Sequence, residues 1–216
     1  MVDSAILEGL SYNEKRLLVA LDEVGGSASP VQLIDAGKFD LEVEIMGAAS
    51  WLESKGLAIL EESSEKFYIL SDESITSTGL PERVAITAID SAGGRMEMSE
   101  LASAMPGGAD KIAVGWLKRK GLADIQKDGD SKYLVLTDKG REALTTEMAD
   151  EALLKRMSES PVLDSDADPA IIKDLKGRQG MIGEKIVTHR SVSLTDLGVE
   201  AARSGMEIKP QITDIT

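Results

Sequence analysis

The chain has 216 residues, of which 42% are hydrophobic, and carries a net charge of −14 from 24 Lys/Arg against 38 Asp/Glu. That is apolar material for one large domain or two to three small ones, and too much for a disordered chain. The lack of cysteine and the single histidine, His189, exclude disulfides and thiolate zinc sites and make a His-based metal or general-base site improbable, so neither metal nor cofactor is expected in the chain itself.

The charge is unevenly spread. Residues 1–79 hold 5 Lys/Arg and 15 Asp/Glu, residues 80–144 hold 10 of each, and residues 145–216 hold 9 and 13. Such a balance disfavours polyanion binding by the chain as a whole and directs any such contact to the later segments. The opening MVDSAILEGLSYNEKR lacks the basic-then-apolar pattern of a signal peptide. No apolar run approaches the roughly 20 residues of a membrane span. The expected setting is the cytoplasm, without membrane contact.

In chain order, a helix is predicted over 13–24, with Leu17, Leu18, Leu21 and Val24 at helical spacing and Gly25-Gly26 as its stop. Ser29-Pro30 starts a short second helix, serine as cap and proline in the first turn. A third spans 41–55, with Ile45, Ala48, Ala49 and Leu52 on one face. Two strands, LAILEE and KFYIL, follow, joined by a Ser-Ser-Glu turn. The same plan returns at 82–91, 98–104 and 109–120, then LADIQK and KYLVL around Asp128-Gly129-Asp130.

The two stretches are copies. SWLESKGLA (50–58) matches GWLKRKGLA (115–123), so Trp51 pairs with Trp116 and Lys55-Gly56 with Lys120-Gly121, 65 residues apart. Gly25-Gly26 and Gly93-Gly94 pair at an offset of 68. A fainter third copy contains helices near 148–157 and 170–176, a polar stretch at 158–169, and strands EKIVT and SVSLT around His189-Arg190. LTDKG (136–140) recurs as LTDLG (194–198). Three helices and a β-hairpin describe a winged helix. The predicted fold class is therefore α+β, as tandem winged-helix modules: 1–79, 80–144 and a reduced third at 145–204, with 205–216 as a connector.

No phosphate loop and no nucleophile–base arrangement is present, so no catalytic residue is assigned. Both tryptophans lie mid-helix among apolar neighbours and read as core. His189 reads as a turn residue. The sharper signal is cationic. In winged helices the third helix and the wing usually meet nucleic acid. The first third helix bears Glu42, Glu44 and Glu53. The second holds Lys111 and ends in Lys118-Arg119-Lys120, and its wing adds Lys127 and Lys132. The third copy supplies Lys173, Lys176, Arg178, Lys185 and Arg190. These are the candidate RNA-binding residues. Cations at a helix C-terminus also offset its dipole, an equally good reading of 118–120.

The order AASWLESKGL, LPER, GWLKRKG, LTDKG resembles the N-terminal region of the α subunit of archaeal/eukaryotic-type phenylalanine–tRNA ligase, to about Ala202. The resemblance implies three winged-helix-like modules ahead of a class II catalytic domain, helping to hold tRNA-Phe. The family's enzyme is an α₂β₂ assembly, with a beta subunit, that joins phenylalanine to tRNA using ATP and magnesium. The class II motifs have no counterpart in these residues, so the chain alone is expected to be inactive. What carries over is tRNA binding, onto Lys118, Arg119, Lys120 and the third-copy cations. The alternatives are a tandem winged-helix DNA-binding regulator and a winged-helix protein-interaction scaffold.

Overall fold

The computed structural model describes residues 1–210. In chain order its elements are α1 (Ser4–Glu8), α2 (Tyr12–Glu23), β1 (Ser27–Ala28), α3 (Pro30–Gly37), α4 (Glu42–Ser54), β2 (Ala58–Leu70), α5 (Ile75–Thr78), α6 (Pro81–Ser91), β3 (Arg95–Glu97), α7 (Met98–Ala104), α8 (Ala109–Lys120), β4 (Ala123–Asp128), β5 (Ser131–Leu136), α9 (Asp138–Ala143), α10 (Ala149–Glu159), β6 (Val162–Leu163), α11 (Pro169–Lys176), β7 (Ile182–Leu194) and α12 (Asp196–Ala202). The fold is mixed, with helices and antiparallel sheets. Of the expected connector 205–216, residues 205–210 are irregular, and 211–216 lie outside the described residues.

The chain divides into two compact units. One joins Met1–Glu65 to the residues from Val187 on, and the other is Lys66–Ile186. Residues 145–204, expected together, are thus split between them.

The first unit begins with helices that close their own ends. Ser11 caps α2 by accepting the Glu14 N–H while Glu14 accepts the Ser11 N–H, a reciprocal pair that satisfies two of the helix's free donors. Ser29 and Gln32 do the same for α3. The apolar stripes of α2, α3 and α4 meet in a core of Leu17, Leu18, Leu21, Leu33, Ile45, Leu52 and Leu57. Val192 of β7 and Ala201 of α12 complete it, although they lie far along the chain. β1 pairs with β7, Ser27 opposite Ser193, and the Leu194 N–H reaches the Gly26 carbonyl.

The second unit repeats this arrangement without a long excursion. α6, α7 and α8 surround Ile86, Ile89, Leu101, Ala113 and Leu117, closed by Leu134 and Leu136 of β5. β3 pairs with β5, Arg95 opposite Val135, and the Leu136 N–H reaches the Gly94 carbonyl. A second core in this unit gathers Tyr68, Leu80, Leu153, Leu154, Met157, Val162, Ile172 and Leu175. The polar stretch 158–169 is therefore structured: it carries β6, paired with Phe67 and Tyr68 of β2, and Ala167 is buried in that core.

The strand pairs expected in 58–70 and 182–194 are absent. Each segment is one strand of 13 residues. The reason is local. Asp128-Gly129-Asp130 turns because Gly129 adopts φ 62°, which an L side chain resists, and β4 and β5 pair on either side of it. Ser63-Ser64-Glu65 and His189-Arg190 contain no residue at positive φ, and the chain runs on extended through both. His189 is consequently a strand residue, its Nε2 2.9 Å from Glu65 Oε2, and not part of a turn.

Two glycines explain the LTDKG and LTDLG repeats. A Cβ on Gly140 would stand 2.0 Å from the Leu122 carbonyl oxygen, and one on Gly198 would stand 1.9 Å from that of Leu57. Only glycine allows α9 and α12 to approach the chain so closely. LTDLG therefore closes the first unit as LTDKG closes the corresponding part of the second.

Candidate nucleic-acid interface

The candidate cations fall into two groups, and their partners separate them. α8 ends where Lys118, Arg119 and Lys120 crowd the last turn, beside the free carbonyls of the helix end. Only Lys118 of the three projects without an acid. Arg119 bonds Asp174 at 2.5 Å. Lys120 is folded inward, its Nζ 2.7 Å from Glu82 and 2.5 Å from Asp150.

Lys120 belongs to a buried ionic network. Glu82, in the first turn of α6, is fully buried and takes both guanidinium nitrogens of Arg178, one at 3.0 Å. Asp150 lies 3.6 Å from the same arginine. The Arg178 guanidinium stacks 3.7 Å from the Trp116 ring, and its Nε is buried without a hydrogen-bond partner. Burial pushes the Glu82 carboxyl upward, but hydrogen bonds from Arg178 and Lys120 together outweigh it and hold the carboxyl below the ordinary glutamate range. Burial likewise opposes, and the bonds from Lys55 and Ser11 overcome, in Glu14.

Lys120 and Arg178, read from sequence as surface cations, are held within this network, Lys120 half-buried and Arg178 buried. The signal that finds Lys120 is in the repeat. Glu14 and Glu82 are 68 apart and Lys55 and Lys120 are 65 apart, and Lys55 bonds Glu14 at 2.5 Å as Lys120 bonds Glu82. A lysine kept at the same place in both copies marks a packing role shared by both. Two further candidates are also engaged: Lys176 pairs with Glu184, and Arg190, in the first unit, bonds Glu62 at 2.8 Å.

The remaining candidates are free. Among the described residues Lys111, Lys118, Lys127, Lys132, Lys173 and Lys185 are exposed and form no ion pair. Two of them are set against each other. Lys127 and Lys132 are directly opposite in the β4–β5 ladder. Like charges in that position repel, which costs stability unless an anion lies between them. By strand alternation they share the hairpin face of Ala123 and Leu134, the face packed on the helices.

The tryptophans depart from the core reading. Trp51 is 66% exposed, and Trp116 is half-buried, its ring covered by Arg178 and by Arg119 at 4.9 Å. Both occupy the same turn of equivalent helices, next to but not part of the buried stripe of Ala48 and Leu52 or Ala113 and Leu117. Among the described residues no group of three His, Cys, Asp or Glu could hold a metal ion, and no helix is long and apolar enough to cross a membrane.

No family model matches the sequence. Individual proteins do. The chain is 34% identical over 211 residues to the phenylalanine–tRNA ligase alpha subunit of Thermococcus onnurineus, covering 96% of this chain and 41% of that protein. It is 33% identical to the same subunit of Pyrococcus abyssi, with the same coverage, and 31% identical over 217 residues to that of Methanothermobacter thermautotrophicus, covering 98% and 41%. The chain spans about two fifths of the length of the curated relatives it matches.

Proposed function

This chain is related over nearly its whole length to archaeal phenylalanine–tRNA ligase alpha subunits, and from that premise we propose that it is a tRNA-holding region built of winged-helix modules. The observation that carries the reading is the opposed pair Lys127 and Lys132 at the end of the β4–β5 wing, exposed and without acids of their own. A phosphate placed between two such ammonium groups relieves their repulsion and accepts from both.

In this reading α8 is the third helix of a winged helix and β4–β5 its wing. Lys111 and Lys118 line the helix, Lys127 and Lys132 the wing, and Lys173 and Lys185 extend the basic set within the same unit. The contacts are to backbone phosphates and follow the shape of a folded RNA without naming a base. The parent enzyme would charge tRNA-Phe with phenylalanine in the cytoplasm, using ATP and magnesium and with a beta subunit as partner. A binding series with tRNA-Phe, a second tRNA and duplex DNA at two salt concentrations tests the proposal. It expects both tRNAs to bind ahead of DNA, with salt-dependent affinity; equal or better binding of DNA returns the regulator reading to the front.

A further inference from the structure

Trp51 and Trp116 are equivalent residues with unequal cover. Over Trp116 lies the guanidinium of Arg178, delivered by the segment that follows α11. Among the described residues no cation lies over Trp51 and the first unit contains no counterpart of α11. The bare ring is part of a larger face. Val43, Gly47 and Trp51 follow one another at four-residue spacing along α4, all exposed, with Val43 at 69% and Leu41 just before the helix at 59%. Apolar side chains in such a row are an interaction surface when nothing in the unit covers them.

Gly47 gives the face a shape. Glycine in mid-helix costs about 1 kcal/mol relative to alanine. Here a Cβ would meet nothing within 4 Å, and the backbone is helical, so neither packing nor conformation requires it. Its effect is a notch between Val43 and Trp51 in which another chain can approach the helix backbone. The surrounding charge is negative: Glu42, Glu44 and Glu53 stand on α4, and the unit holds 17 Asp/Glu against 7 Lys/Arg. That field repels RNA and a second copy of the unit alike, and attracts a basic segment.

We propose that this face of α4 docks a basic, arginine-bearing segment of a protein partner, whose guanidinium stacks on Trp51 as that of Arg178 stacks on Trp116. The flanking apolar side chains of the segment fill the notch at Gly47. The docking uses residues of the first unit only and stands apart from the tRNA reading.

The chain's two tryptophans make the test direct. Labelled with 5-fluorotryptophan, the full chain gives two resonances, assigned with Trp51→Phe. The titrant is the synthetic peptide of residues 169–180, PAIIKDLKGRQG, which carries the arginine that the second unit uses. The Trp51 resonance should shift saturably at up to millimolar peptide while that of Trp116 stays in place, and the shift should weaken as salt is raised. An alanine in place of the peptide's arginine should weaken binding about 5- to 30-fold, as loss of a desolvated cation–π contact requires. Gly47→Leu, which favours the helix and fills the notch, should do the same without loss of stability. A Trp51 resonance indifferent to the peptide, or moved equally by the alanine peptide, overturns the proposal. So does one that moves with tRNA alone, or with protein concentration alone.

Discussion

The hydroxyl of Thr195 donates to the Gly56 carbonyl at 2.7 Å across 139 residues of sequence. Thr137 makes the same bond to Gly121 at 2.7 Å from 16 residues away. The Thr195 N–H also reaches the Leu57 carbonyl, as that of Thr137 reaches Leu122. One motif, LTD-x-G, performs one closure in both units. Its glycine should be the most sensitive position. Gly198→Ala drives a Cβ into a backbone carbonyl and should destabilise the first unit by about 1–3 kcal/mol in urea unfolding. Gly47→Ala, on open helix surface, should instead stabilise by up to about 1 kcal/mol. Equal effects would contradict this assignment.

Two lysines of α8 on either side of Arg119 should behave differently. Lys120→Glu breaks a buried network and sets a third carboxylate beside Glu82 and Asp150, so a loss of about 3–5 kcal/mol is expected. Lys118→Glu touches no acid and should leave stability within about 0.5 kcal/mol while weakening tRNA binding. Chemical unfolding and gel shifts on both variants check this. Triple replacement of 118–120 would confuse the two effects.

Arg178→Ala should uncover Trp116 and leave the buried Glu82 with Lys120 as its one cation. The expected signs are a red-shifted tryptophan emission and a loss of about 3–5 kcal/mol. Arg178→Lys should rescue only part, because an ammonium cannot grip both carboxylate oxygens in one plane and stack as well.

Acid should weaken the fold through Glu14, Glu82 and Glu151. Each has a folded pKa below the ordinary value of 4.5: burial opposes the shift, and hydrogen bonds from Lys55, Arg178 with Lys120, and Arg83 respectively override it. A carboxyl lowered on folding contributes stability fully above its unfolded pKa and loses it as pH falls through the folded one. Denaturation midpoints should therefore be level near neutrality and fall below about pH 4.5. Glu82→Gln should lower the plateau and flatten the acid limb; an unchanged limb would remove Glu82 from the cause.

For the β4–β5 hairpin, Lys127→Gln with Lys132→Gln should leave the strand pair intact or slightly firmer, since the opposed charges are gone. The slope of log affinity for tRNA against log salt should fall by about 0.7 to 0.9, the value for the one phosphate that the two lysines share. An unchanged slope would take this hairpin out of the proposed RNA surface.

Much of this was legible in the sequence where local chemistry decides. Ser11, Ser29, Thr137 and Thr195 announce their helices by capping, and Gly129 announces its hairpin. The offsets of 65 and 68 place Trp51 on Trp116 and Glu14 on Glu82. What could not be read locally is strand partnership. SVSLT could pair with the adjacent EKIVT or with a distant strand, and its alternation is the same in either case. The choice rests on Leu57 and Gly198, which meet only in the folded unit. Nor could sequence divide free cations from engaged ones, because Asp150, Asp174 and Glu184 reach them from other elements.

The interruption of one unit by another has a consequence for how the chain comes into being. As synthesis proceeds, the first 65 residues have their helices but neither Val192 for their core nor the threonine that seals Gly56. The later, self-contained segment can close while its predecessor still waits, and the half-made piece must pass that interval with Leu17, Leu52 and Leu57 incompletely shielded. Order of birth and order of completion are reversed, and a chain cut short before Thr195 would carry a finished second unit and an unfinished first.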